Sequence, residues 1–198
     1  LSRLDRSTGK VIRYEKARPG ELLHIDVKKL GRVPEGGGWK VHGRQMGKPR
    51  KKRGSGYDFL HVAVDDHSRF AYVATYGDER GETCAQFLAE ATEFFAAHGI
   101  TVEKVMTDNA KNYTRSRLFQ AELRKRTHLV TRPYRPQTNG KAERFNRTML
   151  DEWAYARPYR TNAERLAALR LWLEDYNWSR THSAIGNRPP ASRLPSTT

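Results

Sequence analysis

Apolar and polar residues alternate over several short stretches of this chain, and elsewhere they recur at three- and four-residue steps. ELLHIDVKKL (21–30) has the apolar content of a strand. YDFLHVAVDD (57–66) sets Phe59, His61 and Ala63 against Leu60, Val62 and Val64 on opposite faces. FAYVATY (70–76) follows the turn cluster DHSR (66–69), a connection short enough to predict a hairpin. Cys84, Phe87, Leu88, Ala91, Phe95 and His98 mark one face of a helix that Gly99 ends. VEKVMTD (102–108) reads as a short buried strand. RSRLFQAELRKR (115–126) reads as a helix with Leu118, Phe119 and Leu123 inward, and THLVTRP (127–133) as a fifth strand stopped by Pro133. PYRPQTNG (133–140) is loop by composition. A helix from about 140 carries Phe145, Met149 and Trp153 on one side and closes before Pro158. Thr161 and Glu164 form a capping-box pattern for a last helix, striped by Leu166, Leu169, Leu173 and Tyr176. The order β-β-β-α-β-α-β-α-α predicts an α/β fold, a mixed five-stranded sheet covered by helices. Residues 1–20 read as an N-terminal extension, 21–180 as the core, and 181–198 as a Pro-rich tail, of which GNRPPASRLPSTT (186–198) is expected to be extended.

Charge changes this picture. Among 198 residues, 37 are Lys or Arg and 22 are Asp or Glu, a formal net charge of +15. A fold does not require that excess; a polyanionic partner, most often nucleic acid, accounts for it. Residues 31–56 alone carry eight Lys or Arg against one Glu, with eight Gly, and so supply +7. With no apolar period, the window is expected to be a mobile loop. Its run Lys48, Arg50, Lys51, Lys52, Arg53 is a candidate DNA contact, and a solvated insertion is the alternative. The one cysteine, Cys84, rules out an internal disulfide framework and a Cys-rich zinc site. The histidines have no pair of cysteine partners for a zinc finger, and no apolar run reaches the roughly 18 residues of a membrane helix. The opening LSRLDRSTGK is no signal peptide and starts at Leu, so the chain reads as a piece of a longer, soluble, intracellular protein.

Three carboxylates stand where such a sheet brings residues together. Asp26 is on the first strand, Asp108 ends the fourth, and Glu143 is in the first turn of the helix after the Pro-containing loop. Open α/β sheets place ligands beyond the carboxyl ends of parallel strands. Glu143 shares a helix face with Asn139, Asn146 and Arg147, away from the Phe145–Trp153 stripe. Clustered acids repel unless cations neutralise them, and hard oxygen ligands suit Mg²⁺ or Mn²⁺. Each acid also has a plain structural reading. Asp26 fits a surface carboxylate near a strand end, Asp108 with Asn109 an Asx turn, and Glu143 a helix-dipole partner. Spacing alone leaves Asp65 or Asp66 open as the first acid, although both suit the hairpin turn better. His24, two residues before Asp26, is better read as a structural histidine than as a site residue.

HIDV around Asp26, TDN at 107–109 and YRPQTNGKAERFNRT at 134–148 resemble the D-D-E catalytic core of retroviral integrases and related insertion-sequence transposases. The tail YNWSRTHSAIGNRPPASRL is similar to the end of bacterial members, and the resemblance spans about 21–194. It implies a ribonuclease-H-like fold with Asp26, Asp108 and Glu143 as catalytic and metal-binding triad for two Mg²⁺ (or Mn²⁺) ions. Asn139 and Gly140 would lie in a flexible loop beside the substrate DNA. Lys141, Arg144 and Arg147 would hold phosphates, with Asn109 and Asn112 near the site. Implied with these are 3′-end cleavage and strand transfer, DNA partners (transposon ends and target), a homo-oligomer of two or more copies on DNA, and a cytoplasmic, nucleoid-associated location in a bacterium. This sequence has Ala110 where Gly is common. It has Leu150 where a basic residue is frequent, leaving Arg147 to serve. Whole transposases of this kind usually carry a helix-turn-helix that reads the element ends, and none is legible in this sequence. A non-catalytic DNA-binding module and a nuclease of the same fold are the alternatives.

Overall fold

The computed structural model describes residues 15–43, 56–131 and 139–195. Five strands form one sheet in the order β3-β2-β1-β4-β5. They are β1 (Leu23–Gly31), β2 (Tyr57–Asp65), β3 (Ala71–Tyr76), β4 (Lys104–Thr107) and β5 (Thr127–Val130). β1, β2 and β3 are antiparallel neighbours, with the hairpin expected between β2 and β3, whereas β4 runs parallel to both β1 and β5.

The alternation in the strands decides which layer each residue joins. Leu23, Ile25 and Ala63 face one side and pack with Phe87, Leu88, Ala91 and Phe95 of α2 (Gly81–Ala97) and Phe119 of α4 (Arg117–Glu122). Leu60, Val62 and Val64 face the other, against Phe145 and Met149 of α5 (Gly140–Met149) and Leu169 and Tyr176 of α6 (Asn162–Trp178). The sheet is thus buried on both sides, and β2 is buried along nearly its whole length.

Several elements differ from expectation. The window 31–56 is not loop throughout: it contains a one-turn helix, α1 (Trp39–His42). A short α3 (Lys111–Thr114) follows β4, and the 115–126 helix is α4 plus a 3-10 turn at Leu123–Lys125. α5 passes into a π-helical segment, Leu150–Ala154, whose wider turn is closed by the Tyr155 N–H donating to Leu150 O at 2.9 Å. Past α6 the chain makes a 3-10 turn at Ser183–Ile185, with Ile185 buried, and a second at Pro190–Arg193, within the stretch expected to be extended. α6 also buries a cation: Arg165 bonds Gly31 O at 2.9 Å and pairs with Asp58 at 3.5 Å. Among the described residues no helix is long and apolar enough to cross a membrane.

Candidate active site

Register brings the first two acids together. His24 pairs with Met106 across the parallel β1–β4 ladder, so Asp26 and Asp108, each two residues further on, sit at neighbouring strand positions. α5 supplies the third acid and is tied to β1 at three consecutive residues. Asn139, just before the helix, donates its amide to Ile25 O at 3.3 Å and turns its carbonyl oxygen to His24 Nδ1 at 3.1 Å. One turn past Glu143, Asn146 donates to Asp26 Oδ2 at 2.7 Å.

Asp26 borders two pockets. One, of about 250 Å³, is lined by Asp108, Asn112, Glu79 and Tyr113; the other, of about 360 Å³, by Glu143, Asn146, Arg147, Lys28 and Asp151. Burial raises the Asp26 carboxyl to about 6, and the charges of Asp108 and Glu143 push the same way, against the Val27 N–H and Lys28. Asp108 and Glu143 are exposed. Asp108 does make the Asx turn its structural reading anticipated, accepting the Ala110 N–H at 3.0 Å. Among the described residues no three carboxylate, imidazole or thiol groups are gathered closely enough to hold a metal ion between them. The donor chemistry nevertheless fits a hard divalent cation. Asp26 is a half-buried acid whose ionisation is opposed by both other acids, and a cation beside it removes that opposition.

The remaining candidates separate. Asn112 lines the Asp108 pocket and donates to Glu79 O at 3.0 Å, and Asn109 is exposed just past β4. Arg147 lines the Glu143 pocket, while Gly140, Lys141 and Arg144 lie on the other side of α5, in a different cleft. Asn139 is buried, with its side chain committed to β1 rather than presented from a loop, and Gly140 is the first residue of the helix. Lys141 forms an ion pair with Asp66. Lys48, Arg50, Lys51, Lys52 and Arg53 lie outside the described residues.

Asp65 makes the hairpin turn, accepting the Ser68 N–H and hydroxyl, each at 2.7 Å. Asp66 is also in this turn, with its carboxylate directed away from it: its Oδ1 meets His24 Nε2 at 2.8 Å, and its Oδ2 accepts the Lys16 N–H at 2.7 Å. The Asp66–His24–Asn139 chain, which fastens α5 to the sheet, joins residues too far apart in sequence to be read locally. Asn146 was legible as a face-mate of Glu143, but its bond to Asp26 was not.

The profile of the integrase core domain family matches residues 16–136, and a second integrase core domain profile matches 124–190. The chain belongs to the integrase core domain family. That family comprises integrase and transposase catalytic cores and is generally dependent on divalent metal. A curated relative, the putative transposase for insertion sequence element IS5376 of Geobacillus stearothermophilus, is 26% identical over 190 residues, which are 90% of this chain and 42% of that protein. The integrase core thus spans less than half the length of that relative. The catalytic core domain of BIV integrase superposes with a TM-score of 0.58 at 20% identity, covering 87% of this chain and 92% of that one. The HTLV-2 integrase catalytic core in complex with magnesium, a trimeric form, gives 0.59 at 16%, covering 89% and 97%. A chain of the simian T-cell lymphotropic virus intasome in complex with the PP2A regulatory subunit B56 gamma gives 0.65 at 16%, covering 100% and 64%. At these identities the likeness establishes the fold, a ribonuclease-H-like sheet with flanking helices.

Proposed function

We propose that this integrase core is the catalytic part of a DNA transposase that cleaves at element ends to expose a 3′-hydroxyl and joins it to target DNA by transesterification. One observation carries the reading: Asp26 is the shared wall of the pocket that Asp108 lines and the pocket that Glu143 lines. Asp26 would contact both of two Mg²⁺ or Mn²⁺ ions, Asp108 one and Glu143 the other. Such a pair, when bound, activates the attacking oxygen and stabilises the leaving one.

This chain's own residues prepare that arrangement. The Asn146 amide and the Val27 N–H each occupy one oxygen of Asp26, fixing the carboxylate plane and leaving further lone pairs free. Arg147 and Lys28 bring positive charge to the Glu143 pocket, where a phosphate oxygen of the scissile strand would lie. Asn112 edges the Asp108 pocket with its amide held by Glu79 O. The net charge of +15 favours a DNA partner. Two element ends must be held together, so the active unit is an oligomer.

A disintegration assay tests this. A branched DNA that mimics the strand-transfer product is incubated with Mg²⁺ or Mn²⁺, and the wild type is compared with Glu143→Gln. Glu143 is exposed, so the variant should keep its melting temperature. Resolution of the branch with rejoining by the wild type alone is the expected result. Cutting without rejoining would mark a nuclease of the same fold, and equal activity of the variant would remove Glu143 from the site.

A further inference from the structure

Past α6 the chain turns back over the side of α5 that faces away from Asp26. Tyr176, buried, meets Phe145 edge-on at 4.8 Å, and His182 meets Tyr176 edge-on at 4.7 Å. Arg180 grips Glu152, in the π-helical segment, through contacts of 2.7 and 2.6 Å. These ties hold residues 180–187 as a wall opposite α5, and between the two lies a cleft of about 640 Å³ floored by Val64, Phe145 and Tyr176.

Arg69, Lys141, Arg144 and Arg180 line the cleft, and among the described residues no carboxylate does. Arg69 is held in the left-handed region at φ 69°, uncommon for any residue with a side chain. One guanidinium nitrogen, Nη2, meets Glu15 at 3.2 Å. The other, Nη1, is buried with no hydrogen-bond partner among the described residues. A buried guanidinium N–H without an acceptor is unfavourable, and a turn of the Arg69 side chain toward the cleft would let an anion there supply one. Gly140 adds space: a Cβ built there meets nothing within 4 Å, and its backbone is not in the left-handed region, so neither crowding nor strain in this chain calls for glycine. Gly140 and Lys141, in the first turn of α5, line the cleft, and the first N–H groups of a helix lack partners within it.

We propose that this cleft binds the phosphate backbone of duplex DNA on the opposite side of α5 from the three acids, so that α5 stands between two DNA contacts. The inference rests on the transposase reading for its ligand, but not on the chemistry of the triad. The C-terminal motif that begins at Tyr176 thereby acquires a role as the outer wall of a DNA groove.

The test is binding without catalysis. In EDTA, and in a Glu143→Gln background, the anisotropy of a labelled duplex is followed across a salt series for the chain with and without Arg69→Gln plus Arg144→Gln. Removing two phosphate contacts should make the slope of log K against log salt shallower by about two and weaken binding roughly tenfold or more near 0.1 M salt. Ser183→Cys, at the cleft rim, should form a disulfide with DNA carrying a thiol tether on its backbone; Cys84 is buried and should not. A folded double variant with an unchanged salt slope overturns the proposal. So does one that keeps DNA affinity while losing affinity for polyglutamate, which would mark an acidic-protein site. If the double variant does not fold, the Ser183→Cys capture decides: a cross-link supports the cleft and its absence rejects it. A wild type inactive in the disintegration assay but showing the slope change would sink the catalytic reading and leave the cleft standing.

Discussion

Asn146 donates its side-chain amide to Asp26 Oδ2 at 2.7 Å, joining α5 to the central strand across 120 residues of sequence. The bond is buried on the Asn146 side, so water does not replace it readily. Asn146→Ala should therefore leave the fold intact but free the Asp26 carboxylate to rotate. Loss of such an orienting partner typically weakens metal affinity or activity about 10- to 100-fold. The midpoint for Mn²⁺ in the disintegration reaction should rise within that range. An unchanged midpoint would mean that Val27 alone orients Asp26. Asn146→Asp should do worse than Ala, since it sets a further negative charge against an acid already pushed up by Asp108 and Glu143.

Asp66 is the anchor of the α5 N-terminus. Burial works against its ionised form, but hydrogen bonds from His24, Lys141 and the Lys16 N–H outweigh it and hold the carboxyl well below the usual range. A carboxyl depressed in the folded state contributes stability that is present above its unfolded pKa, about 3.9, and is lost as pH falls below it. Asp66→Asn should cost about 3 kcal/mol at pH 7, because it leaves Lys141 and His24 facing a neutral amide. The gap between variant and wild type should narrow as pH drops below about 4. Urea unfolding midpoints at pH 7 and pH 3 measure this, and an equal gap at both would remove Asp66 from the acid transition.

What the sequence discloses is what local periodicity and register encode. The alternation in 57–66 fixes both faces of β2, and the three-four spacing of Phe145 and Met149 fixes which way Glu143 points. Asp108 was legible from its place just past the fourth strand, and Asp26 from its place within the first. The long-range polar ties were not, since His24 to Asp66 spans 42 residues and His24 to Asn139 spans 115. α1 sits within a Gly-rich window with no apolar period, so nothing local marks it. Arg165 reads as a surface residue until Asp58 and Gly31 O are seen beside it. Trp178, the last residue of α6, is half-exposed and meets Phe70 edge-on at 5.8 Å.

Cys84 faces the apolar layer between α2 and the sheet, and burial pushes its thiol up to about 11. Neither exposure nor thiolate is available at neutral pH. The native chain should resist a thiol reagent such as DTNB at pH 8 and react fully once unfolded in guanidinium. Rapid native labelling would show that α2 opens locally, and would also spoil Cys84 as a silent background for the Ser183→Cys cross-link.

Asn177 closes the far edge of the sheet. Its amide donates to Ala71 O at 2.8 Å while its carbonyl oxygen accepts the Ala71 N–H at 2.9 Å, both within buried surroundings. Among the described residues β3 is the edge strand, so Asn177 takes the place of a further strand beside Ala71. Asn177→Ala removes both partners of a buried backbone unit. Each orphaned group costs about 1–3 kcal/mol. For a chain of this size, each kcal/mol lowers Tm by about 2–4 °C, so a fall of roughly 5–20 °C is expected. Asn177→Asp should fare little better, because it keeps the acceptor for the Ala71 N–H but sets a carboxylate against the Ala71 carbonyl. A melting curve within a degree or two of wild type for Ala would mean that water reaches this edge and satisfies Ala71 by itself.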